Sequence, residues 1–503
     1  MFCSIPQKIG TLVASGLLTA TLGFVLYITF PMLMESEIKK KLVLKEGSQS
    51  YEYWKDIPVP IYLEFYFFNV TNTEEVYNFT NKPILEEVGP YTFRESREKV
   101  NVTWRDNGTL SYKQIKRWYF QPDRTNGSLQ DYITTLNVPM MAAAAKGKEM
   151  DMALVYYALE EFFDHFNSTW FVTKTVDELL FTGYEDPLMK AAKAFMNMPY
   201  DKFGWFYERN GTDDGEFVVY TGADDIQEVD QIYTWNKSRT VTTYDPPCNM
   251  INGSAGDIWP PNQTGDNLEL FVTDICRSLS FKYLKKLKVK NIPAYRYWAD
   301  NTQLDNGKYN PENKCFCSDD ICLPAGSINV SACKFDAPAV VSYPHFLYAD
   351  SIYSQGVIGM KPDPKLHQMY LDIVPEMGIP ISVAARMQIN IVFEGVKDIR
   401  QFSNISRRIY FPVLWFSETA MATDSIVDQL RLVLYTLPLI CNISSFIMIS
   451  VGCFLVLAAF VLSLLYAAGK ITDMPGTKDD ALLEDESSQK ENEPAYSEVS
   501  KTT

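Results

Sequence analysis

Histidine is nearly absent: His165, His345 and His367 are the only three in 503 residues. A histidine-built zinc or iron centre is excluded on that count, and no HExxH, GxGxxG, Walker A or GxSxG string supplies another catalytic framework. No enzymatic activity, metal or cofactor is therefore expected. Positive charge is also short. Lys and Arg number 46 against 62 Asp and Glu, a formal −16, and no basic cluster of five or more stands out. Nucleic acid, which needs concentrated positive charge to neutralise phosphates, is excluded as a partner. Apolar side chains are abundant, at 47% with 14% aromatic, which excludes disorder for most of the chain. At roughly 150 residues per domain the length allows two or three domains or one large one.

Two segments depart from the average. Ile9–Phe30 and Ile440–Ala468 run 22 and 29 residues without a charge, and about 20 apolar residues suffice to cross a bilayer as a helix. The first is too long for the apolar region of a cleaved signal peptide, about 7 to 15 residues, and reads as an uncleaved anchor. Lysines do not settle orientation, since Lys8 precedes the first span while Lys39, Lys40 and Lys41 follow it. Asn-x-Ser/Thr acceptors do. They stand at Asn69, Asn78, Asn101, Asn107, Asn126, Asn167, Asn210, Asn236, Asn252, Asn262, Asn329 and Asn404, between the spans, with one more at Asn442 on the edge of the second. So many on one side place that side in the secretory lumen or outside the cell. Six of nine cysteines, Cys248, Cys276, Cys315, Cys317, Cys322 and Cys333, fall in the window 248–333. In an oxidising compartment these read as three disulfides rather than a zinc site, with 15 connectivities open. Cys3, beside the first span, is a candidate for palmitoylation, with an unmodified thiol the other reading.

The expected organisation is a cytosolic N-terminus (1–8), a span (9–30), a glycosylated ectodomain (31–439), a second span (440–468) and an acidic, disordered cytosolic tail (469–503) with nine acids against four bases. In the ectodomain, Ile61, Leu63, Phe65 and Phe67 alternate with Tyr62, Glu64 and Tyr66, and Met387, Ile389, Ile391 and Phe393 with Gln388, Asn390 and Val392, as in strands. Phe203–Tyr207 and Phe217–Tyr220, separated by an Asn-Gly-containing stretch, read as a hairpin. No 20- to 50-residue repeat is present, so the core is expected to be antiparallel β with helical insertions. The clearest helix is Met150–Phe166, with an inward stripe of Met152, Val155, Tyr156, Leu159, Phe162, Phe163 and Phe166. A second apolar set, Leu154, Tyr157 and Ala158, lies off that stripe. A helix at 186–197 is expected to cover it; left uncovered, it is a patch for lipid or a protein partner. In the tail, Tyr496 to Val499 and Leu482-Leu483 are candidate sorting strings for clathrin adaptors.

Two terminal spans around a glycosylated ectodomain, with Gly89-Pro90-Tyr91, Cys248-Asn-Met-Ile-Asn-Gly-Ser254, Asp274-Ile-Cys-Arg-Ser278, Cys315-Phe-Cys317 and Pro344-His-Phe-Leu-Tyr348, resemble the class B scavenger receptor family over essentially the whole chain except the tail. Phe65–Thr71, Phe171–Leu180 and Phe206–Thr212 look most like its lysosomal integral membrane protein branch. The resemblance implies an α+β membrane protein: an antiparallel β-barrel ectodomain with an internal tunnel and an apical helical bundle at about 140–198, flanked by two transmembrane helices. It implies lipid, sterol or lipoprotein capture at the apex and lipid passage through the tunnel, or binding of a lysosomal hydrolase by the apical helices. It implies the pairs Cys248–Cys315, Cys276–Cys333 and Cys317–Cys322. At the apex, Leu154, Tyr157, Ala158, Glu161 and His165 are the ligand-binding candidates. The chain departs from its relatives there, since Glu160, Glu161, Asp164 and His165 stand where anion-binding members present lysines, and Met150-Asp-Met-Ala153 lacks the histidine of the lysosomal branch. His165 reads as an exposed bystander, or as a group titrating beside Asp164 between about pH 5 and 7. The dileucine lacks its upstream acid, because Lys478 holds that place. Location at the plasma membrane or at the endosome or lysosome stays open, and Gly16 and Ala20 lean slightly toward self-association.

Overall fold

A computed structural model describes residues 4–196, 198–317, 322–334 and 337–472. Cys3, Leu482, Leu483, Tyr496 and Val499 lie outside the described residues. From the N-terminus the elements are α1 (Ile5–Leu42), α2 (Gln49–Lys55), β1 (Ile61–Val70), α3 (Thr73–Tyr77), β2 (Leu85–Trp104) and β3 (Thr109–Phe120). A middle block follows: β4 (Tyr132–Leu136), α4 (Val138–Met150), α5 (Ala153–His165), β5 (Phe171–Thr175), β6 (Tyr184–Glu185), α6 (Pro187–Met196) and β7 (Lys202–Phe203). Strands then dominate, with β8 (Asp213–Tyr220), β9 (Ile232–Trp235), β10 (Leu268–Val272), β11 (Arg277–Val289), β12 (Ile292–Trp298), β13 (Ser327–Asn329) and β14 (Ala339–Ser342). The last part holds α7 (Ser351–Gln355), α8 (Pro364–His367), β15 (Tyr370–Val374), β16 (Ile379–Phe393), β17 (Ile409–Met421), α9 (Asp424–Arg431) and α10 (Leu437–Ala467).

Thirteen strands form one antiparallel sheet, along the path β10-β11-β12-β15-β16-β17-β1-β2-β3-β8-β9, with β14 and β13 branching from β16. The expected closed barrel is not what forms. The edge strands β9 and β10 do not pair with each other; single-residue bridges at Ser254, to Gln231 and to Leu270, are what lies between them. Residues 236–267 are rich in Pro, Gly and Asn and cannot supply a closing strand.

Along β1, Ile61, Leu63, Phe65 and Phe67 are buried while Tyr62, Glu64 and Tyr66 are partly exposed, the period-2 pattern of a strand with one covered face. Register against β2 slips between Phe65 and Phe67. Gly89 sits at that bulge with φ +138°, and a Cβ there would stand 2.6 Å from the Phe65 carbonyl oxygen, so glycine in Gly89-Pro90-Tyr91 is a steric requirement. The polar face of β16 departs from expectation. Gln388 and Asn390 are fully buried, and their amides are satisfied by the neighbouring strand β14 and the turn that follows it: Asn390 Nδ2 donates to Val340 O (3.1 Å) and Ser342 Oγ (3.0 Å), and His345 N donates to Gln388 Oε1 (2.7 Å).

Three further expectations are corrected. The hairpin of Phe203–Tyr220 does not form: β7 makes a two-residue pairing with β6, and β8 is taken up between the long strand β3 and β9. The helix expected at Met150–Phe166 forms as α5 but starts later, after Met152, because Met150 ends the preceding helix α4 at an αL cap on Asp151. The first span continues as helix past Pro31 to Leu42, supported by the ion pairs Lys39–Glu35 (2.7 Å) and Lys40–Glu37 (2.9 Å) at helical spacing.

The chain divides into two units, residues 35–432 and residues 1–34 with 433–503. The second contains the two helices long and apolar enough to cross a membrane. They touch through small residues. A Cβ on Gly452 would stand 2.5 Å from both Gly16 O and Ala20 N, so the Gly16/Ala20 face expected to favour self-association is occupied by the chain's own second span.

Candidate functional site

The β4–β5 ribbon, paired from Tyr132↔Thr175 to Leu136↔Phe171, carries α4 and α5 between its strands. Asn137 caps α4, its Oδ1 accepting from Met140 N at 3.2 Å, and Pro139 occupies the first turn, where a missing N–H costs nothing. The chain reverses at Asp151, whose carboxylate accepts from Tyr156 Oη at 2.9 Å. Gly147 lets the helices approach, since a Cβ there would meet Leu159 Cδ1 at 2.6 Å. One side of α5 is anchored. Phe163 is buried against Phe402 (6.1 Å between centroids), and Trp170 below it donates to Gln401 O at 3.1 Å. The acids Glu160 and Asp164 are taken up by the same turn. Arg400 N donates to Glu160 Oε1 at 2.5 Å, Gln401 Nε2 to Asp164 Oδ1 at 2.9 Å, and Arg400 pairs with Asp164. Behind α4 lies a shallow recess lined by Met141, Ala144, Pro338, Val392, Val396 and Phe402.

The opposite side of α5 is uncovered. Leu154 and Tyr157 are 73% and 61% exposed, and Ala158, Glu161 and His165 are exposed as well. The spacing 154, 157, 158, 161, 165 puts all five candidates on one helical face. The helix near 187–196 does not cover them: α6 packs on α4, with Leu188 and Met189 buried, and itself exposes Phe195 and Met196. Met150 and Met152, the latter expected in the buried stripe, are half exposed at the elbow beside this face. His165 lies edge-on to Phe166 at 4.7 Å.

The other two histidines, assigned no role from sequence, are brought together. His345 and His367 stack, and His345 Nε2 bonds to Glu87 Oε2 at 2.6 Å, as does Trp415 Nε1 at 2.7 Å. Burial works to raise the Glu87 carboxyl, but those two bonds outweigh it and hold Glu87 below the usual range. Both imidazoles accept backbone N–H bonds at Nδ1, from Lys361 (3.0 Å) and Asp363 (2.9 Å). The Pro344-His345 motif marked one partner; nothing local marked the other.

Charged side chains also form two groups of ion pairs. Arg97 links Glu95 and Glu418, both at 2.5 Å. Lys116 pairs with Asp214 (2.6 Å), Arg209 with Asp214 (3.4 Å) and Asp274 (3.0 Å), and Lys334 with Asp274 (3.1 Å). Burial alone would raise Asp274, yet Lys334 and Arg209 hold it well below the usual carboxylate range. Nearby, the disulfides Cys248–Cys315, Cys276–Cys333 and Cys317–Cys322 tie the 248–333 region together. Of the twelve acceptor asparagines between the spans, Asn69 and Asn329 are half-buried and the other ten exposed. Among the described residues, no group of three or more His, Cys, Asp or Glu is placed to hold a metal ion.

Comparison with known proteins agrees with this architecture. The model of the CD36 family matches residues 14–463. The chain is 36% identical over 454 residues to scavenger receptor class B member 1 of Rattus norvegicus, covering 89% of this chain and 88% of that one. It is also 36% identical over 437 residues to lysosome membrane protein 2 of Rattus norvegicus (86% and 90%), and 35% identical over 440 residues to the Homo sapiens protein of that name (86% and 90%). Equal identities do not single out the lysosomal branch. With two apolar terminal helices, a disulfide-tied antiparallel sheet and these relatives, the chain is an integral membrane protein of the class B scavenger receptor type and belongs to the CD36 family.

Proposed function

We propose that this protein captures lipids, sterols or lipid-rich particles such as lipoproteins on the uncovered face of α5 and passes lipid through the interior of the ectodomain toward the bilayer, at the plasma membrane or an endosomal or lysosomal membrane. The observation that carries the capture step is the exposure of Leu154 and Tyr157 on a helix whose other side is anchored. Contiguous apolar surface of this kind favours an apolar partner, at about 25 cal/mol per Å² removed from water. Passage rests on kinship with the CD36 family, whose resemblance implies an interior tunnel. In this reading both termini are cytosolic, the sequons carry glycans, and Tyr496 and Leu482-Leu483 engage clathrin adaptors.

The test is lipid identification by mass spectrometry on full-length protein purified in mild detergent, with transfer of labelled cholesterol or fatty acid by cells expressing it. Retained lipid and transfer that falls in the Leu154→Asp/Tyr157→Asp variant are expected. Absence of both, with pH-reversible capture of a soluble lysosomal hydrolase, would replace this reading with that of a trafficking receptor.

A further inference from the structure

The loop that follows β1 holds three asparagines, Asn72, Asn78 and Asn81, and spends two of their amides on itself. Asn72 Nδ2 donates to Glu75 Oε2 (2.9 Å) and Lys82 O (3.0 Å), and its Oδ1 accepts from Ile84 N (2.8 Å). Asn81 Nδ2 donates to the same Glu75 oxygen at 3.0 Å. Asn78, the member of the three that stands in an Asn-x-Thr sequon, is exposed, and among the described residues no hydrogen bond engages its amide.

The same loop holds an aromatic ring outward. Helix α3 closes on Asn78, with Phe79 N donating to Val76 O (3.1 Å) and Thr80 N to Glu75 O (3.0 Å). These are the two bonds of a Schellman motif, whose left-handed position glycine usually fills. Here Phe79 fills it, at φ +54°, where a bulky side chain is a rarity. Its ring is 53% exposed, and that of Tyr77, on the other side of Asn78, is 37% exposed. Both rest on Trp170, Tyr77 stacked at 4.9 Å and 17° from parallel, Phe79 edge-on at 5.9 Å. Trp170 is buried and lies against Phe393 at 5.3 Å, so the two exposed rings form a shelf on a fixed base. Consecutive Cα atoms are about 3.8 Å apart, so a sugar on the Asn78 amide starts one residue from either ring.

We propose that the Tyr77–Phe79 shelf is the seat of the first N-acetylglucosamine of a glycan on Asn78, with the C–H face of the sugar and its acetyl methyl against the Phe79 ring. The sugar offers an apolar face and a methyl group, and the shelf offers aromatic surface that the protein leaves in water, so contact removes apolar area from solvent on both sides. Phenylalanine at a position suited to glycine then has a use, since glycine would leave the sugar nothing to lie on. Seated in this way, the glycan becomes part of the packing around Trp170, the residue that ties the foot of α5 to Gln401. The inference rests on the reading that the ectodomain sequons carry glycans.

Two measurements on the full glycosylated chain in detergent separate that reading from the seat. Glycopeptide mass spectrometry is expected to find Asn78 occupied; an empty Asn78 overturns the seat together with the glycan reading at this sequon. The glycans are then trimmed by endoglycosidase to one N-acetylglucosamine per site, with the acetyl methyl 13C-labelled, and followed by methyl NMR. The resonance that disappears in Asn78→Gln is expected to lie upfield of the other sites through the Phe79 ring current. Phe79→Asn keeps the sequon and suits the left-handed backbone, and is expected to return that resonance to the position of the others, whereas Phe79→Tyr is expected to retain the shift. An occupied Asn78 whose methyl resonates with the other sites, or an upfield shift that survives Phe79→Asn, overturns the seat and leaves glycosylation standing.

Discussion

His345 and His367 lie ring on ring, centroids 4.5 Å apart and planes 22° from parallel, with one carboxylate, Glu87, bonded to the His345 ring. A proton on His367 would stand in a buried site against a second imidazole ring.

The consequence is a pH-dependent stability. Burial, reinforced by His345, pushes His367 down to about 4 from 6.5, against weaker opposing effects of Glu87 and Asp363. The unfolded chain therefore takes up this proton first. The contribution of His367 is complete above about pH 6.5 and is lost as pH falls toward 4, the loss reaching at most about 2 kcal/mol at about pH 5. The depressed Glu87 carboxyl acts in the same direction. Urea unfolding of the full chain in detergent is expected to show lower stability at endosomal than at neutral pH. His367→Phe should remove most of the difference while keeping the stack, and an unchanged slope would assign the loss to other groups.

Much of this architecture is readable from local pattern, because its signals are local. The alternation of Ile61 to Phe67, the two uncharged spans and the clustered cysteines each report on residues near in sequence. The failures are non-local. The hairpin expected at 203–220 had a turn and two apolar flanks, but Tyr184–Glu185 claims one flank and β3 the other. Gln388 and Asn390 read as an outward face, yet both are buried, with amide partners supplied by β14 and the turn at His345, distant in sequence. At the site, the uncovered face of α5 could be set out by helical spacing, whereas whether α6 covers it depends on packing that no single helix encodes. His345 and His367 stand 22 residues apart and meet only because the turn at 359–367 folds back.

Leu154→Asp with Tyr157→Asp is expected to leave folding nearly intact. Both side chains are more than half exposed, and Asp near the start of α5 suits the helix dipole, so stability should change by about 0.5 kcal/mol or less. Binding of labelled lipoprotein or lipid vesicles should fall by about tenfold or more. Normal secretory maturation with unchanged binding would remove this face from the capture step.

The three disulfides should not be equal. Cys276–Cys333 spans 57 residues and Cys317–Cys322 only 5. On loop-closure entropy, replacing both cysteines of the first by Ala costs about 4 kcal/mol and of the second about 2 kcal/mol. Thermal unfolding and glycoprotein maturation of the two double variants would measure the order, and equal losses would mean that local strain or packing, rather than chain entropy, dominates.

The paired spans make the sharpest steric prediction, because the close contact at Gly452 is with backbone. A side chain there meets Gly16 O and Ala20 N at 2.5 Å, neither of which can rotate away, so Gly452→Leu must push the helices apart at a cost of about 1 to 3 kcal/mol. Gly10 has nothing within 4 Å of an added Cβ, and Gly10→Leu serves as the control. Tyr27 and Phe446 lie 5.3 Å apart across the same contact, so cysteines replacing them report on separation. Oxidative cross-linking between positions 27 and 446 in detergent is expected to be efficient with Gly452 and with Gly10→Leu, and strongly reduced with Gly452→Leu. Cross-linking that survives Gly452→Leu would show that the small-residue face is not what holds the two spans together, and would return Gly16 and Ala20 to the role of contact between separate chains.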